Sequence, residues 1–450
     1  MRNANTEFLI EELKKLIELS DFSRITELIT DLHPADVVDV LENLDIKEQT
    51  LVIQALPSEL AADLMQEIDS EEQGKIVELL GALRSSEILR EMDSDDAADI
   101  IGEMDEENAE EILDLMPNEG EEIRELLQYD EDTCGGIMAT EYISIKSDMD
   151  VGYTLASLRK EAPDAETIYY LYVIDDNNHL VGVVSLRDLV VSDFDEKIEY
   201  IMDKNVVYVR VDTDQEEAAN IFKKYGFLTL PVVDEENTLA GIITSDDILT
   251  VVEEEATEDI HKFAGTLPLE QSYFNTSVKS LWFKRIFWLF ILFLAESFTG
   301  KIMSSNQEAL QSFIILSFFI PMLIDCGGNS GSQATATIVR GLAIGEIKPK
   351  DMLKVIWREA RVGLLLGSTM ALVSFGRALI SGGSPLIGIT VALSILSIVI
   401  LGTLTGALLP MIVSKVGFDP AVVAAPLITT IVDAVGLMIY FQIAKFFLKI

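Results

Sequence analysis

Five long apolar stretches in the C-terminal part of the chain limit its possible folds more than any other feature. They cover residues 286–303, 309–324, 362–380, 386–413 and 421–448. A helix needs roughly 20 apolar residues to cross a bilayer, and several of these stretches are near or beyond that length. We therefore expect five transmembrane helices, the second of them marginal in apolar length.

Charge divides the chain just before these stretches. Residues 276–450 carry 14 Lys and Arg against 8 Asp and Glu, a net charge of +6 that leaves −49 for residues 1–275. Such a division predicts a membrane part and a large acidic soluble part. The N-terminal segment MRNANTEFLIEELKK is charged and amphipathic, unlike a signal peptide, so we expect the soluble part in the cytoplasm. Most Lys and Arg of the membrane part then flank its cytosolic side, which indicates a multi-pass protein of the plasma membrane or inner membrane.

A twelve-residue repeat organises the start of the soluble part. Apolar residues recur at this spacing at Leu32, Leu44, Leu56, Ile68, Leu80, Met92, Met104 and Met116. Several are followed by Asp or Pro, which suit the first positions of a helix. One short helix and its turn fit each unit, so the repeat predicts an α-superhelix over residues 1–131.

A second duplication follows the superhelix. LYVIDDNNHLVGVVSLRDLV starts at Leu171, and LPVVDEENTLAGIITSDDIL starts 59 residues later at Leu230. Each copy has the pattern strand, acidic turn, strand and helix, and the two resemble a tandem pair of CBS domains. We assign them to residues 132–198 and 199–258. In that family the [ST]-x-x-D element often contacts a nucleotide ribose, so the pair is a candidate ATP site through Tyr170, Arg187, Asp188 and Phe227, although many such pairs bind no ligand.

Most acidic residues after residue 275 flank predicted helix ends, but three do not: Glu296, Asp325 and Asp433. An ionisable group in the middle of a membrane helix costs at least roughly 2.5–3.5 kcal/mol, so it normally faces a cavity or a partner. Asp433 lies halfway along the last stretch with no basic residue at comparable depth, which favours an ion site. Thr429 precedes it by one turn and would add a nearby oxygen.

The second apolar stretch runs into IDCGGNSGSQ, an unusual sequence for a lipid-facing helix. Loosened backbone at membrane depth is tolerated where it lines a watery cavity. Close helix packing would also explain the glycines, but it does not require Asn329 and Gln333. We therefore expect a hydrophilic pore wall here, with glycine carbonyls such as that of Gly328 exposed.

A wall of oxygen atoms and a carboxylate are typical of a path for a hard cation. Mg²⁺ prefers oxygen ligands and gives up its water reluctantly, so it suits a site with one carboxylate per subunit. A two-fold axis through the pore would bring two Asp433 side chains to the ion. An anion pore would instead need Arg or Lys at depth.

These segments, taken together, resemble the MgtE family of magnesium channels. GGNSGSQ, GFDPAVVAAPLITTIVDAVGL, YDEDTCGGIMATEY, PDAETIYYLYV and EATEDIHK all look like its motifs. The resemblance implies a multidomain α and α+β membrane protein: superhelix, CBS pair, a connecting helix over 259–279 and five membrane helices over 280–450. It further implies a homodimer with its pore between subunits, Asp433 at the filter and Asp419 at the cytosolic side.

The resemblance also implies that cytosolic Mg²⁺ closes the pore by holding acidic surfaces together. The implied regulatory ligands are Asp63, Asp95, Asp99, Asp214, Glu216, Asp247, Glu255, Glu258 and Asp259. Gly226 and Thr250 stand where acidic ligands would be expected, so part of the sensor is altered here. The implied partners are Mg²⁺, the bilayer and an adenine nucleotide, and no nucleic acid.

Three other functions fit the sequence less well. A CBS-regulated chloride channel or a CorC-like protein would carry its CBS pair after the membrane part, whereas here the pair precedes it. A membrane-anchored nucleotide sensor without a pore would give no reason for Asp433 at depth. An enzyme has little support, because His33, His179 and His261 lie far apart and no nucleophile or phosphate-loop motif is present.

Overall fold

The computed structural model describes residues 2–161, 165–269, 273–274, 276–423 and 425–449. The chain forms two compact units, one that ends at Val252 and one that begins at Glu253. The Pro163–Asp164 part of the PDAETIYYLYV motif lies outside the described residues, as do residues 270–272 and 275 of the predicted connecting helix.

Ten helices form the N-terminal part of the first unit. They are α1 (Arg2–Glu18), α2 (Phe22–Ile29), α3 (Pro34–Leu41), α4 (Ile46–Ala55), α5 (Ser58–Gln66), α6 (Ser70–Leu80), α7 (Ala82–Leu89), α8 (Ser94–Gly102), α9 (Glu106–Leu113) and α10 (Glu119–Leu126). The repeat positions Leu44, Leu56, Ile68, Met92 and Met116 are buried, which confirms the twelve-residue periodicity. Asp45 shows how a unit begins: its carboxylate accepts from the backbone N–H of Glu48, whose side chain accepts from the N–H of Asp45.

Two three-stranded sheets follow. The elements of the pair are β1 (Ser144–Lys146), α11 (Val151–Glu161), β2 (Tyr170–Ile174), β3 (Leu180–Ser185), α12 (Leu186–Val191), α13 (Ile198–Ile201), β4 (Val209–Arg210), α14 (Gln215–Tyr225), β5 (Thr229–Val233) and β6 (Leu239–Thr244). In each sheet the first strand is parallel to the second and the second antiparallel to the third. The two sheets have the same strand order and the same strand directions, which confirms the duplication.

Each copy also pairs with a segment that precedes the other. Ala139, ahead of β1, exchanges two backbone hydrogen bonds with Ile242 of β6, and Asp203, ahead of β4, does the same with Val183 of β3. The Tyr172 hydroxyl lies 2.7 Å from that of Thr229 in the other copy. Residues assigned by sequence to one copy thus complete the sheet of the other.

Helix α15 (Ser245–Ala264) begins directly after β6 and extends into the second unit. The predicted connecting helix over 259–279 therefore differs from the structure in its bounds. Its helical part is the end of α15, and the chain leaves the helix at Gly265, which has a positive φ of 74° that favours glycine.

Among the described residues of the second unit, five helices are long and apolar enough to cross a membrane, as predicted. The elements are α16 (Val278–Ser305), α17 (Gln307–Ser312), a 3₁₀ segment (Ile314–Phe319), α18 (Ile320–Ala343), a 3₁₀ turn (Pro349–Asp351), α19 (Met352–Ile380), α20 (Pro385–Val416), a 3₁₀ turn (Pro420–Val422) and α21 (Ala425–Leu448). Buried apolar residues of α18, α20 and α21, such as Leu323, Ile398 and Val432, form the core.

Candidate functional site

The glycine-rich stretch is helical throughout, which corrects one prediction. We expected loosened backbone with exposed carbonyls at GGNSGSQ, but α18 runs from Ile320 to Ala343 without a break. A helix satisfies its own backbone groups, and at membrane depth this outweighs the low helix propensity of glycine. The Gly328 carbonyl is therefore not offered by an unwound backbone.

The glycines instead allow close contact between helices. A Cβ on Gly327 would meet Ile398 of α20 and Val432 of α21, and one on Gly331 would lie 2.7 Å from Ile428. On α20, a Cβ on Gly406 would meet the Gly331 carbonyl oxygen. Small residues at such positions let membrane helices approach to backbone contact. The packing explanation therefore holds for the glycines.

The polar residues of the same stretch lie on another face of α18. Asp325, Asn329 and Gln333 follow one another at four-residue intervals, and all three are exposed in the single chain. We call them the polar stripe. An exposed carboxylate and two exposed amides at membrane depth need water or protein around them. The stripe therefore indicates a face that lipid does not cover.

Asp433 lies about 12 Å along α21 from its first residue, Ala425, at 1.5 Å per residue. Its Oδ1 atom is buried and has no hydrogen-bond partner among the described residues. Glu296 and Asp325 are close enough to act on it electrostatically. Across the described part of the chain Asp433 has no ion pair, so no arginine or lysine neutralises it.

Thr429 lies one turn before Asp433. A Cβ on Gly328 would meet its side chain at 3.0 Å, so α18 and α21 touch at this level. The Thr429 hydroxyl donates to the carbonyl of Pro426 at 2.8 Å, and that of Thr430 donates to the same oxygen at 3.0 Å. Each hydroxyl oxygen keeps accepting capacity for water or a hydrated ion.

Asp419 lies at the other end of this region, in the loop ahead of α21. Its Oδ1 accepts from the backbone N–H of Ala421 at 2.7 Å and so caps a 3₁₀ turn. Its Oδ2 accepts from Lys262 of α15 at 2.9 Å. The candidate site in the second unit thus runs from Asp419 to Asp433 and the polar stripe.

The first unit contains an acidic cleft of about 580 Å³ between the superhelix and the CBS pair. Its acidic lining residues are Asp63, Glu67, Asp93, Asp95, Asp96, Glu166, Asp246 and Asp247. Gln66 also lines the cleft, and its amide donates to Asp93 at 2.8 Å and to Asp96 at 2.7 Å. We refer to this set as the acidic cleft.

Burial and mutual repulsion strongly disfavour ionisation in the acidic cleft. Asp95 is only 7% exposed, and its pKa lies well above the usual range because of burial and then the charge of Asp247. Burial is also the main cause that raises the pKa of Asp96 to about 7 and that of Glu166 to about 9. A cation in the cleft would relieve this repulsion.

Mg²⁺ suits the cleft if it keeps part of its hydration shell. Carboxylate oxygens are its preferred protein ligands. Among the described residues, no three carboxylate, thiol or imidazole groups converge closely enough to enclose a bare metal ion. An ion here would contact the carboxylates partly through water.

The nine predicted regulatory residues do not form one site. Asp63, Asp95 and Asp247 line the acidic cleft, whereas Asp99 is exposed and outside its lining. Asp214 lines a second cleft with Asp130, Glu131, Asp132 and Asp212, and Glu216 follows it in the first turn of α14.

The three remaining regulatory residues, Glu255, Glu258 and Asp259, belong to the second unit. Of the two altered positions, Thr250 lines the acidic cleft, and Gly226 ends α14 with a φ of 68°, a conformation that favours glycine.

Sequence reasoning missed five of the eight acidic residues of the cleft: Glu67, Asp93, Asp96, Glu166 and Asp246. The sequence pattern indicates only a helix start at Asp93. The run SDD at residues 94–96 was a local signal for Asp96. Glu166 had no such signal, because its position in the cleft depends on how the CBS pair packs on the superhelix.

The nucleotide candidates are spread over both copies. Ser185 caps α12 and donates to Asp188 at 2.5 Å, and Arg187 beside it is exposed. Tyr170 begins β2, while Phe227 stacks on Tyr225 with ring centroids 5.2 Å apart. In the second copy Thr244 donates to Asp247, so that copy's [ST]-x-x-D element faces the acidic cleft.

The raised pKa values predict the pH dependence of the first unit. Folded Asp96 and Glu166 keep protons up to about pH 7 and 9, whereas the unfolded chain releases them near pH 4. Without divalent ions, the free energy of unfolding should therefore fall as pH rises from about 5 to 9. Thermal unfolding of residues 1–252 in EDTA should show a lower midpoint at pH 9 than at pH 6.

Two variants separate the cleft from general acidity. The glutamine of Glu166→Gln cannot ionise, so this variant should weaken the dependence of the unfolding midpoint on pH. Glu107→Gln, at an exposed position on α9, should leave that dependence unchanged. Mg²⁺ should raise the midpoint more at pH 9 than at pH 6, because it displaces protons at the lower pH. A midpoint that does not change with pH in EDTA would contradict this account.

Comparison with known proteins places each part of the chain. Residues 320–443 match a family model described as a divalent cation transporter, residues 32–132 match the MgtE intracellular N domain, and residues 134–195 and 197–254 match CBS domains. A magnesium transporter MgtE of Thermus thermophilus is 39% identical over 447 residues, 98% of this chain and 99% of the relative. One from Bacillus subtilis is 36% identical over 74% of each chain.

Two solved structures resemble the soluble part. A crystal structure of the cytosolic domain of the Mg²⁺ channel MgtE in complex with ATP is 39% identical, with a TM-score of 0.52, over 54% of this chain and 99% of that one. The soluble part of a magnesium transporter is 34% identical with the same TM-score, over 56% and 99%.

Proposed function

The chain belongs to the MgtE family of magnesium transporters, and from that premise we propose that it imports Mg²⁺ through a pore at a homodimer interface. It is a transport protein rather than an enzyme. Its five membrane helices would cross the plasma membrane or inner membrane with the acidic part in the cytoplasm. The observation that carries the proposal is Asp433, whose buried Oδ1 has no partner among the described residues.

A second copy of the chain would complete the pore. The polar stripe of α18 is exposed in one chain, and α21 touches α18 beside it through Gly328 and Thr429. A two-fold axis along this face would remove the stripe from lipid and bring two Asp433 carboxylates together. Asn329 and Thr429 would add neutral oxygens, which suits an ion that keeps its water.

Asp325 would be a second acidic group of the same pore. It lies on the exposed stripe one turn before Asn329 and acts electrostatically on Asp433. Because Gly327 meets Val432 and Gly328 meets Thr429 on the neighbouring helix, Asp325 would lie at about the depth of Asp433 and help attract cations there. Glu296 of α16 would contribute to the same field.

Cytosolic Mg²⁺ would close the pore by binding between acidic surfaces. In the acidic cleft, Asp95 and Asp247 repel each other across the contact between superhelix and CBS pair. A divalent ion offsets this repulsion and favours the compact arrangement. An ion that binds the closed state better shifts the population toward closed, which gives negative feedback.

The flux of Mg²⁺ into liposomes tests this feedback. Mg²⁺ inside the liposomes should stop influx in the wild type at millimolar concentration. Asp95→Asn combined with Asp247→Asn should require roughly tenfold more internal Mg²⁺ for half-closure, because two of the cleft carboxyl groups that could bind the ion are lost. The measurement is initial influx against internal Mg²⁺, read with a fluorescent indicator.

Glu107→Gln provides the matched control and should leave the half-closing concentration unchanged. Influx that never depends on internal Mg²⁺ would refute the feedback but leave the transport function standing. No Mg²⁺ influx from well-folded protein would refute transport itself.

ATP is the proposed nucleotide ligand of the CBS pair. The similar cytosolic domain from the MgtE channel binds ATP, and Arg187 and Asp188 are exposed in this chain. Phe227 and Tyr170 would supply aromatic contacts for the base.

A further inference from the structure

One lysine joins the end of α15 to the loop ahead of α21. The Nζ atom of Lys262 lies 2.8 Å from Oε1 of Glu258 and 2.9 Å from Oδ2 of Asp419. The Lys262 side chain is only 27% exposed, so this double ion pair is more shielded than a surface pair. All three residues belong to the second unit.

The surroundings of Lys262 are otherwise acidic. Asp259 lies about one turn before Lys262 on α15. Its pKa is raised, mainly because the carboxyl group is buried and then because of the charge of Asp419. Arg340, in the last turn of α18, also acts on Asp259. The end of α15 therefore interacts with the cytosolic ends of both helices that carry the candidate pore residues.

We propose that Lys262 is a positioning residue whose ammonium group holds α15 against the Asp419 loop and occupies the place between two carboxylates that a divalent cation would otherwise take. This inference rests on the proposed function, in which Glu258 and Asp419 are cation ligands. Lys262 and Mg²⁺ then compete for the same oxygens.

The lysine acts on the pore through Asp419. Its Oδ1 caps the Pro420–Val422 turn, and α21 starts at Ala425, so a change at Asp419 alters the start of the helix that carries Asp433. If the ammonium group of Lys262 is removed and no cation takes its place, the carboxylates of Glu258 and Asp419 repel each other. The end of α15 then separates from the Asp419 loop.

Hydrogen exchange of the full-length protein in lipid nanodiscs tests this role. In EDTA, Lys262→Gln should increase amide exchange in residues 253–264 at least tenfold, and millimolar Mg²⁺ should restore wild-type protection. Lys262→Arg keeps the charge and should behave like wild type. Lys354→Gln removes an exposed lysine that lies 2.9 Å from Asp351, and it should have no effect on this segment.

Three outcomes decide the proposal. Unchanged exchange of Lys262→Gln in EDTA would overturn it, as would increased exchange that Mg²⁺ does not reverse, since that would mean a purely structural loss. If Lys262 acts through Asp419, adding Asp419→Asn to Lys262→Gln should not increase exchange in EDTA further.

The exchange measurement does not depend on transport. If the wild type carries no Mg²⁺, the proposed function fails while the exchange result still decides the role of Lys262. If transport is present, Lys262→Gln should raise Mg²⁺ influx about threefold when internal Mg²⁺ is absent and leave closure by high internal Mg²⁺ intact.

Discussion

Replacing Asp433 by alanine should reduce Mg²⁺ influx into liposomes about a hundredfold. Its Oδ1 is buried without a partner among the described residues, so the carboxylate stabilises nothing that the structure describes and is available to an ion. Loss of two carboxylates from a shared pore would raise the free energy of an ion in the pore by at least about 3 kcal/mol. This corresponds to about a hundredfold decrease in the rate of transport. Asp433→Asn keeps the shape and should fail equally, because the charge is what matters.

The control for Asp433 is an acidic residue outside the membrane helices. Glu346→Gln, in the turn after α18, should transport normally. Gel filtration should give the same oligomeric size for all variants, so that a loss of flux cannot come from disassembly. Full influx through Asp433→Ala would remove this residue from the ion path.

Replacing Gly406 by leucine should destabilise the membrane unit severely. A side chain there would meet the Gly331 carbonyl oxygen, and it would lie 2.9 Å from the Thr335 hydroxyl, which donates to both glycine carbonyls. Because the obstacle is backbone, α18 and α20 must separate. We expect a loss of at least about 3 kcal/mol and a fall of roughly 6–12 °C in the unfolding midpoint, measured on purified protein in detergent.

Gly376 is the matched control. It also lies in a membrane helix, α19, but a Cβ there meets nothing within 4 Å in the chain. Gly376→Leu should therefore lower the unfolding midpoint by less than a third of the fall expected for Gly406→Leu. Equal stability of Gly406→Leu and wild type would contradict the close packing of α18 on α20.

The periodic parts of the fold could be predicted from sequence because each one depends on local patterns. The spacing from Leu44 to Met116 required a helix and a turn in every unit, and the apolar runs required membrane helices. The stretch around Gly327 and Gly331 misled the same reasoning. Glycine is a poor helix former in water, but inside a bilayer an unpaired backbone group costs more than the lost propensity.

The candidate sites were only partly predictable for a different reason. Asp433 stands out because a carboxylate is unexpected in an apolar run. The acidic cleft depends on contacts between distant segments, so Glu166 and Asp246 could not be assigned to it from their neighbours in sequence. The role of Lys262 could not be predicted from sequence either, since its partner Asp419 is 157 residues away along the chain.

The exchange of strand partners within the CBS pair has a consequence for how it unfolds. Ala139 completes the sheet of the second copy and Asp203 that of the first, each through two backbone hydrogen bonds. Neither copy can detach without exposing unpaired backbone on both sheets. The duplicated halves should thus melt together in a single cooperative transition, and a fragment with one copy would present a bare sheet edge open to aggregation.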